Sequence, residues 1–219
     1  KMIFVIPDKF VSSVATNMSR LYPDVPAGKI QSYLEDFLKT LNRPEDIDRL
    51  KSVDFIKEGT PVLCYNNVLG NEITERYGFL KSVNRDGAVI YGMDSVYKHI
   101  LALDATGNHL RQIVEHEYVH FSQLEKGHLV MTEEAMHWTV PSEEYTMSII
   151  DNMEFEKYIA QSTLSPEKKH LIWLEHELRK PWEMEAYFTM FKDRMTDIWM
   201  KSPKIHSMIT TWGFDHGLL

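Results

Sequence analysis

Cysteine is nearly absent from this 219-residue chain. Cys64 stands alone, so no intramolecular disulfide can form. A single cysteine suits a reducing compartment or a cysteine-poor exported protein, and its ordinary role is that of a small buried apolar side chain. Positive charge is also short. The 24 Lys and Arg face 32 Asp and Glu, for a net charge of −8. That balance argues against nucleic acid as the main ligand, because binding phosphates needs a basic face. Long hydrophobic runs are missing too. Met2-Ile3-Phe4-Val5-Ile6 is an apolar stretch ended by Pro7-Asp8, too short for a membrane span or a signal sequence. These absences lead us to expect a soluble, cytoplasmic protein that acts on neither nucleic acid nor membranes.

What is present fits a globular chain with a real core, at 43% hydrophobic and 26% charged residues. Residues 2–6 read as a short strand. Phe10, Val11, Val14, Met18 and Leu21 follow helical spacing, as do Ile30, Leu34, Phe37, Leu38 and Leu41, which end at Asn42-Arg43-Pro44. We take residues 1–58 as an N-terminal strand and helical extension and 59–219 as one compact region, with no repeats or flexible linker. Pro61 to Tyr65 reads as a strand and Leu69-Gly70-Asn71 as a turn. Residues 77–83 and 88–93 flank Asn84-Arg85-Asp86-Gly87, a hairpin signal with Asp-Gly at the turn. Such a hairpin either covers the core or offers an edge strand to an extended peptide. Residues 94–103 suggest a short helix, and the chain after Gly127 reads as helical, with Thr132, Ser142 and Ser165 as helix starts. Pro181 starts another helix running to about Met200, and the tail from Ser202 shows no clear period.

The chemistry gathers at His116-Glu117-Tyr118-Val119-His120, an H-E-x-x-H sequence. On a helix, positions four apart lie one turn above each other, so both imidazoles can reach one zinc ion. Glu117 then sits beside the metal as a general base. Thr106-Gly107-Asn108 starts that helix, Gly127 closes it, and Leu110, Ile113, Val114, Phe121 and Leu124 recur at helical spacing. His116, His120 and Gln123 share one face near the apolar stripe. A catalytic zinc needs a third protein ligand besides water. Lys126 and Gln123 stand where one class of zinc peptidase has His and Gly, which excludes that class. His128 lies just beyond Gly127 and stays open, whereas Glu133 and Glu134 read as carboxylates at a helix N-terminus.

The stretch Lys180-Pro181-Trp182-Glu183-Met184-Glu185-Ala186-Tyr187 lies downstream. Together with His-Glu-x-x-His-x-x-Gln, it resembles the gluzincin clan, the thermolysin-like metallopeptidases and their minimal relatives. In that clan a second helix supplies a Glu ligand through a Glu-x-x-x-Asp or Glu-x-x-Ala pattern. The resemblance covers roughly residues 75–195 and rests on two short motifs. It implies a zincin-like α+β fold, mostly helical, with a small antiparallel sheet or hairpin before the H-E-x-x-H helix and helices after it. It also implies Zn2+ held by His116, His120 and Glu183, and a peptide or protein substrate. Glu185 is the alternative third ligand. It points elsewhere on a helix, so the two cannot share one role. Where an Asp or Asn often follows the Ala, this chain has Tyr187.

Water-mediated amide hydrolysis with Glu117 as general base is therefore the expected reaction. Its oxyanion needs a donor opposite the metal, and Tyr187 and His176 are the candidates. Glu175-His176-Glu177 echoes the first motif, but Lys180 stands where a second His would fall, so no second metal is expected. Two rival readings are a zinc-stapled protein without peptidase activity and a helical interaction protein in which the motif is accidental.

Overall fold

The computed structural model describes residues 1–53, 56–79, 87–92, 96–191 and 202–219. The chain divides into two compact units, Lys1–Tyr118 and Val119–Leu219. Both helices and strands contribute, and the chain is α+β with helix predominating.

The first unit is built on a four-stranded sheet of β1 (Ile3–Phe4), β2 (Pro61–Tyr65), β3 (Gly87–Tyr91) and β4 (His99–Asp104). The strand order is β1-β2-β4-β3. The first three run parallel, and β3 pairs antiparallel on the edge. The sheet is thus mixed, and within it the antiparallel pair of β3 and β4 directly precedes the H-E-x-x-H helix, where a small antiparallel sheet or hairpin was expected. Residues 80–86, most of the first arm and the turn of the expected hairpin, lie outside the described residues. Its second arm is β3, in register with β4 from Gly87 opposite Leu103 to Tyr91 opposite His99.

β4 corrects the helix expected at 94–103. All six of its residues are buried, because β4 lies between β2 and β3 and is covered on both faces. A strand buried on both faces shows no alternation, and its short apolar run looks the same as a piece of buried helix. Alternate side chains still go to opposite faces. Val62, Cys64, Leu101 and Leu103 pack on one side with Leu50 and Val114, while Leu63, Ile100 and Ala102 pack on the other with Leu41.

Four helices accompany this sheet: α1 (Asp8–Leu21), α2 (Ala27–Leu38), α3 (Pro44–Lys51) and α4 (Asn67–Arg76). α4 replaces the turn expected at Leu69-Gly70-Asn71. Asn66 caps it, its side-chain oxygen accepting from the Leu69 amide at 3.0 Å, so the polar cluster starts a helix instead of breaking the chain. α5 (Leu110–Glu125) begins in this unit and sends Leu110, Ile113, Val114 and Tyr118 against the first face of the sheet.

The second unit takes up the later part of α5 and adds a three-stranded antiparallel sheet of β5 (Leu129–Met131), β6 (Ala135–Trp138) and β7 (Tyr145–Ser148). That sheet stands where only helix was expected. Thr132 starts no helix; its hydroxyl accepts from the amides of Glu134 and Ala135 at the β5–β6 turn, so Glu133 and Glu134 sit on a hairpin. Ser142 lies in the next connection at φ 64°, not at a helix cap. The remaining helices are α6 (Ile149–Gln161), α7 (Pro166–Leu178), α8 (Pro181–Phe191) and α9 (Pro203–Asp215). Ser165 caps α7 and proline opens both α7 and α8, as the sequence implies. α9 occupies the tail in which no period was legible. Leu174, Leu178, Met184, Phe188, Ile205 and Ile209 bind α7, α8 and α9 into one core.

Candidate metal centre

α5 places His116 and His120 one turn apart, and both are buried. α8 opens at Pro181 and carries Glu183 in its first turn. One ligand atom from each of His116, His120 and Glu183 lies within 4.8 Å of the others, the only such metal-capable group among the described residues.

Within this group, His120 is held by Gln123. Gln123 is one turn further along α5 and only 1% exposed. Its side-chain nitrogen donates to the Trp182 carbonyl at 3.0 Å and to Glu185 Oε1 at 3.0 Å. Neither partner can donate in return, so the amide oxygen of Gln123 is the end that meets His120 Nδ1, at 2.9 Å. An amide oxygen only accepts, which puts a proton on Nδ1, so that a neutral ring carries its lone pair on Nε2. That Nε2 faces Glu183 Oε2 at 3.3 Å. Two acceptors at this separation repel unless a cation or a proton sits between them.

A proton answers this one pair, whereas a metal ion could be held by all three groups. Bonds of about 2.0–2.2 Å to zinc separate tetrahedral ligand atoms by roughly 3.3–3.6 Å, which the His120–Glu183 spacing already matches. Two imidazoles and one carboxylate are also a donor set that leaves a fourth position open. The residues therefore fit the ion. Gln123 fits the part of an outer residue that fixes a ligating ring, a role carboxylates and carbonyls commonly fill.

Glu185 lies on Gln123 and is not in the metal-capable group. His128 is likewise outside it, with its ring edge-on to Trp138. Tyr187, one turn beyond Glu183, packs against the α7–α8–α9 core. His176 stacks on Phe155 of α6 with ring centroids 3.8 Å apart, and its Nε2 meets Asn152 Oδ1 at 3.1 Å. Burial, and then the charges of Lys180 and Arg179, hold its imidazole below the ordinary histidine value.

Two features near the site were not legible in the chain. Glu177 and Lys180 form a buried ion pair. Burial pushes the Glu177 carboxyl up, the charge of Glu183 adds to that, and Lys180 opposes both. The i, i+3 spacing of a Glu and a Lys was the only available signal. The second is Gly87, at the start of β3. A Cβ there would fall 2.6 Å from Glu117 Cγ and 3.2 Å from Ile113 Cγ2. The edge strand thus lies directly on the stem of Glu117, a contact no local pattern announces.

Comparison with protein-family models, with curated proteins and with solved structures finds no match for this chain.

Proposed function

We propose that this chain is a zinc-dependent peptidase of the gluzincin type, with a minimal zincin-like fold. The observation that carries the reading is the convergence of His116, His120 and Glu183, with ligand atoms within 4.8 Å of one another. Gln123 turns a lone pair toward a carboxylate 3.3 Å away, beside a second buried imidazole. A cation there removes the repulsion, and the donor set favours zinc over the hard cations that prefer oxygen alone.

His116, His120 and Glu183 would hold the ion. Zinc supplies Lewis-acid polarisation of a carbonyl and lowers the pKa of water at the open position. Glu117 follows His116 directly and its stem lies against Gly87. In this reading its carboxylate takes the proton from the attacking water as the new C–O bond forms. It then passes that proton to the amine nitrogen as the C–N bond breaks. Tyr187 stays a candidate donor to the oxyanion. His176, with its ring stacked and Nε2 engaged by Asn152, is left out of the mechanism.

The test pairs elemental analysis with a peptide-library cleavage assay on wild type, His116→Ala, Glu183→Ala and Glu117→Gln. We expect about one zinc per chain, lost or weakened in the first two variants. Glu117→Gln keeps the metal and loses hydrolysis. Full activity in Glu117→Gln would sink the mechanism. Zinc without cleavage in wild type would leave a metal-stapled protein, and no zinc at all would leave an interaction protein.

A further inference from the structure

The face of the four-stranded sheet opposite α5 contains a hollow of about 240 Å³. Its cause is a local loss of bulk. Ala88 and Ala102 are direct cross-strand partners, and Ala102 lies in the core packed with Leu63, Ile90 and Ile100. Two neighbouring alanines beside Leu63, Ile90 and Ile100 leave a gap that the covering helices do not fill. On the α4 side Gly70 adds no side chain, and Phe10, Phe37 and Tyr65 line the walls.

The cover over this gap is light. α1 contributes Phe10 but buries none of its own residues fully. The lining contains no carboxylate, ammonium, guanidinium or imidazole group among the described residues. Its polar groups are neutral: the Thr40 hydroxyl, the Tyr65 phenol and the amides of Asn66, Asn67 and Asn71. An anionic ligand would lose its hydration here without gaining an opposite charge, since the charged groups bonded to the lining Asn66 and Asn67 are the carboxylates of Asp46 and Asp104. An apolar ligand gains contact with three rings and several aliphatic side chains. Benzene already occupies an apolar cavity of about 150 Å³ in another protein, so this volume holds a larger guest.

We propose that this hollow is a binding site for a neutral aromatic small molecule of one or two rings. The rings occupy the space over Ala88 and Ala102. All lining residues belong to Lys1–Tyr118, so the site stands independently of the peptidase reading.

Benzamide and benzoate share a shape and differ in charge, which makes them the probes. Each is titrated into the full 15N-labelled chain, and amide chemical shifts are followed. Benzamide should give saturable shifts at Phe37, Leu63 and Ala102 and bind at least about tenfold tighter than benzoate. Ala102→Leu should fill the space and weaken benzamide by about tenfold or more while the circular dichroism spectrum is kept. Should Ala102→Leu fail to fold, Ala88→Val on the edge strand is read the same way. No saturable shift with benzamide, equal affinity for benzoate, or undiminished binding in the filled variant each overturns the proposal.

Discussion

Gln123 shows how one side chain can decide what its neighbour does. Its amide nitrogen is committed to Trp182 and Glu185, so its oxygen fixes the proton of His120 and the direction of the other ring nitrogen. Replacing Gln123 with Ala frees the ring to rotate and to change tautomer. Zinc affinity, measured by competition with a chromogenic chelator, should fall about 10–100-fold while Glu183→Ala abolishes tight binding. Unchanged affinity would mean that the ring is oriented by something other than Gln123. Gly87 acts by what it lacks. An alanine there must displace Glu117 or shift β3, which should cost about 1–3 kcal/mol in urea unfolding. The cost should shrink when Glu117 is also Ala, since the methyl group then has room. Additive effects in that double-mutant cycle would show that Glu117 swings aside freely. Legibility at this scale was uneven. His116, Glu117 and His120 were readable because a helical motif has a fixed period. The clash at Gly87 was not, because it joins residues far apart in the chain.

At the scale of elements, local signals worked where backbone chemistry dominates. The Ser165-Pro166 start of α7 and the Pro181 start of α8 follow from a hydroxyl cap and a residue that cannot donate an amide hydrogen. Signals failed where burial decides. The run Ile100 to Leu103 has no period to read, and only its place between two strands makes it β4. The β5–β7 sheet is made of strands of three or four residues, each too short to outweigh a helical reading. One link between elements is testable by pH. Glu175 of α7 accepts from Lys204 of α9 at 2.5 Å and from Arg179 at 2.8 Å. The Lys204 hydrogen bond, with help from Arg179, holds its carboxyl below the ordinary value of 4.5 against a smaller upward push from burial. A depressed carboxyl adds stability above the unfolded-state pKa and loses it as pH falls through the lower folded value. Lys204→Ala should therefore cost at most about 1 kcal/mol near neutral pH, since the lysine is largely exposed. The difference from wild type in urea titrations should close on acidification below the ordinary range. A penalty that persists at low pH would point to lost packing of the lysine stem.

For the whole molecule, the proposed metal is a ligand of the folded state and should stabilise it by mass action. At free zinc about 100-fold above its dissociation constant, the gain is about 2.7 kcal/mol. Chelation should then lower the melting temperature, and zinc should restore it in wild type and Glu117→Gln but not in His116→Ala. A melting temperature indifferent to chelator would count against a metal in this site. No helix among the described residues is long and apolar enough to cross a membrane. From sequence alone came the helical placement of His116 and His120 on one face, the starts of α7 and α8, and the acidic balance. Each depends on local spacing or on a sum over residues, which the chain carries without being folded. Tertiary structure alone decided that Glu183 joins the two histidines while Glu185 turns to Gln123. It also made residues 99–104 a central strand and left a hollow over Ala88 and Ala102. Those outcomes turn on which distant side chains meet, and that is settled only when burial selects one packing among many that local preferences allow.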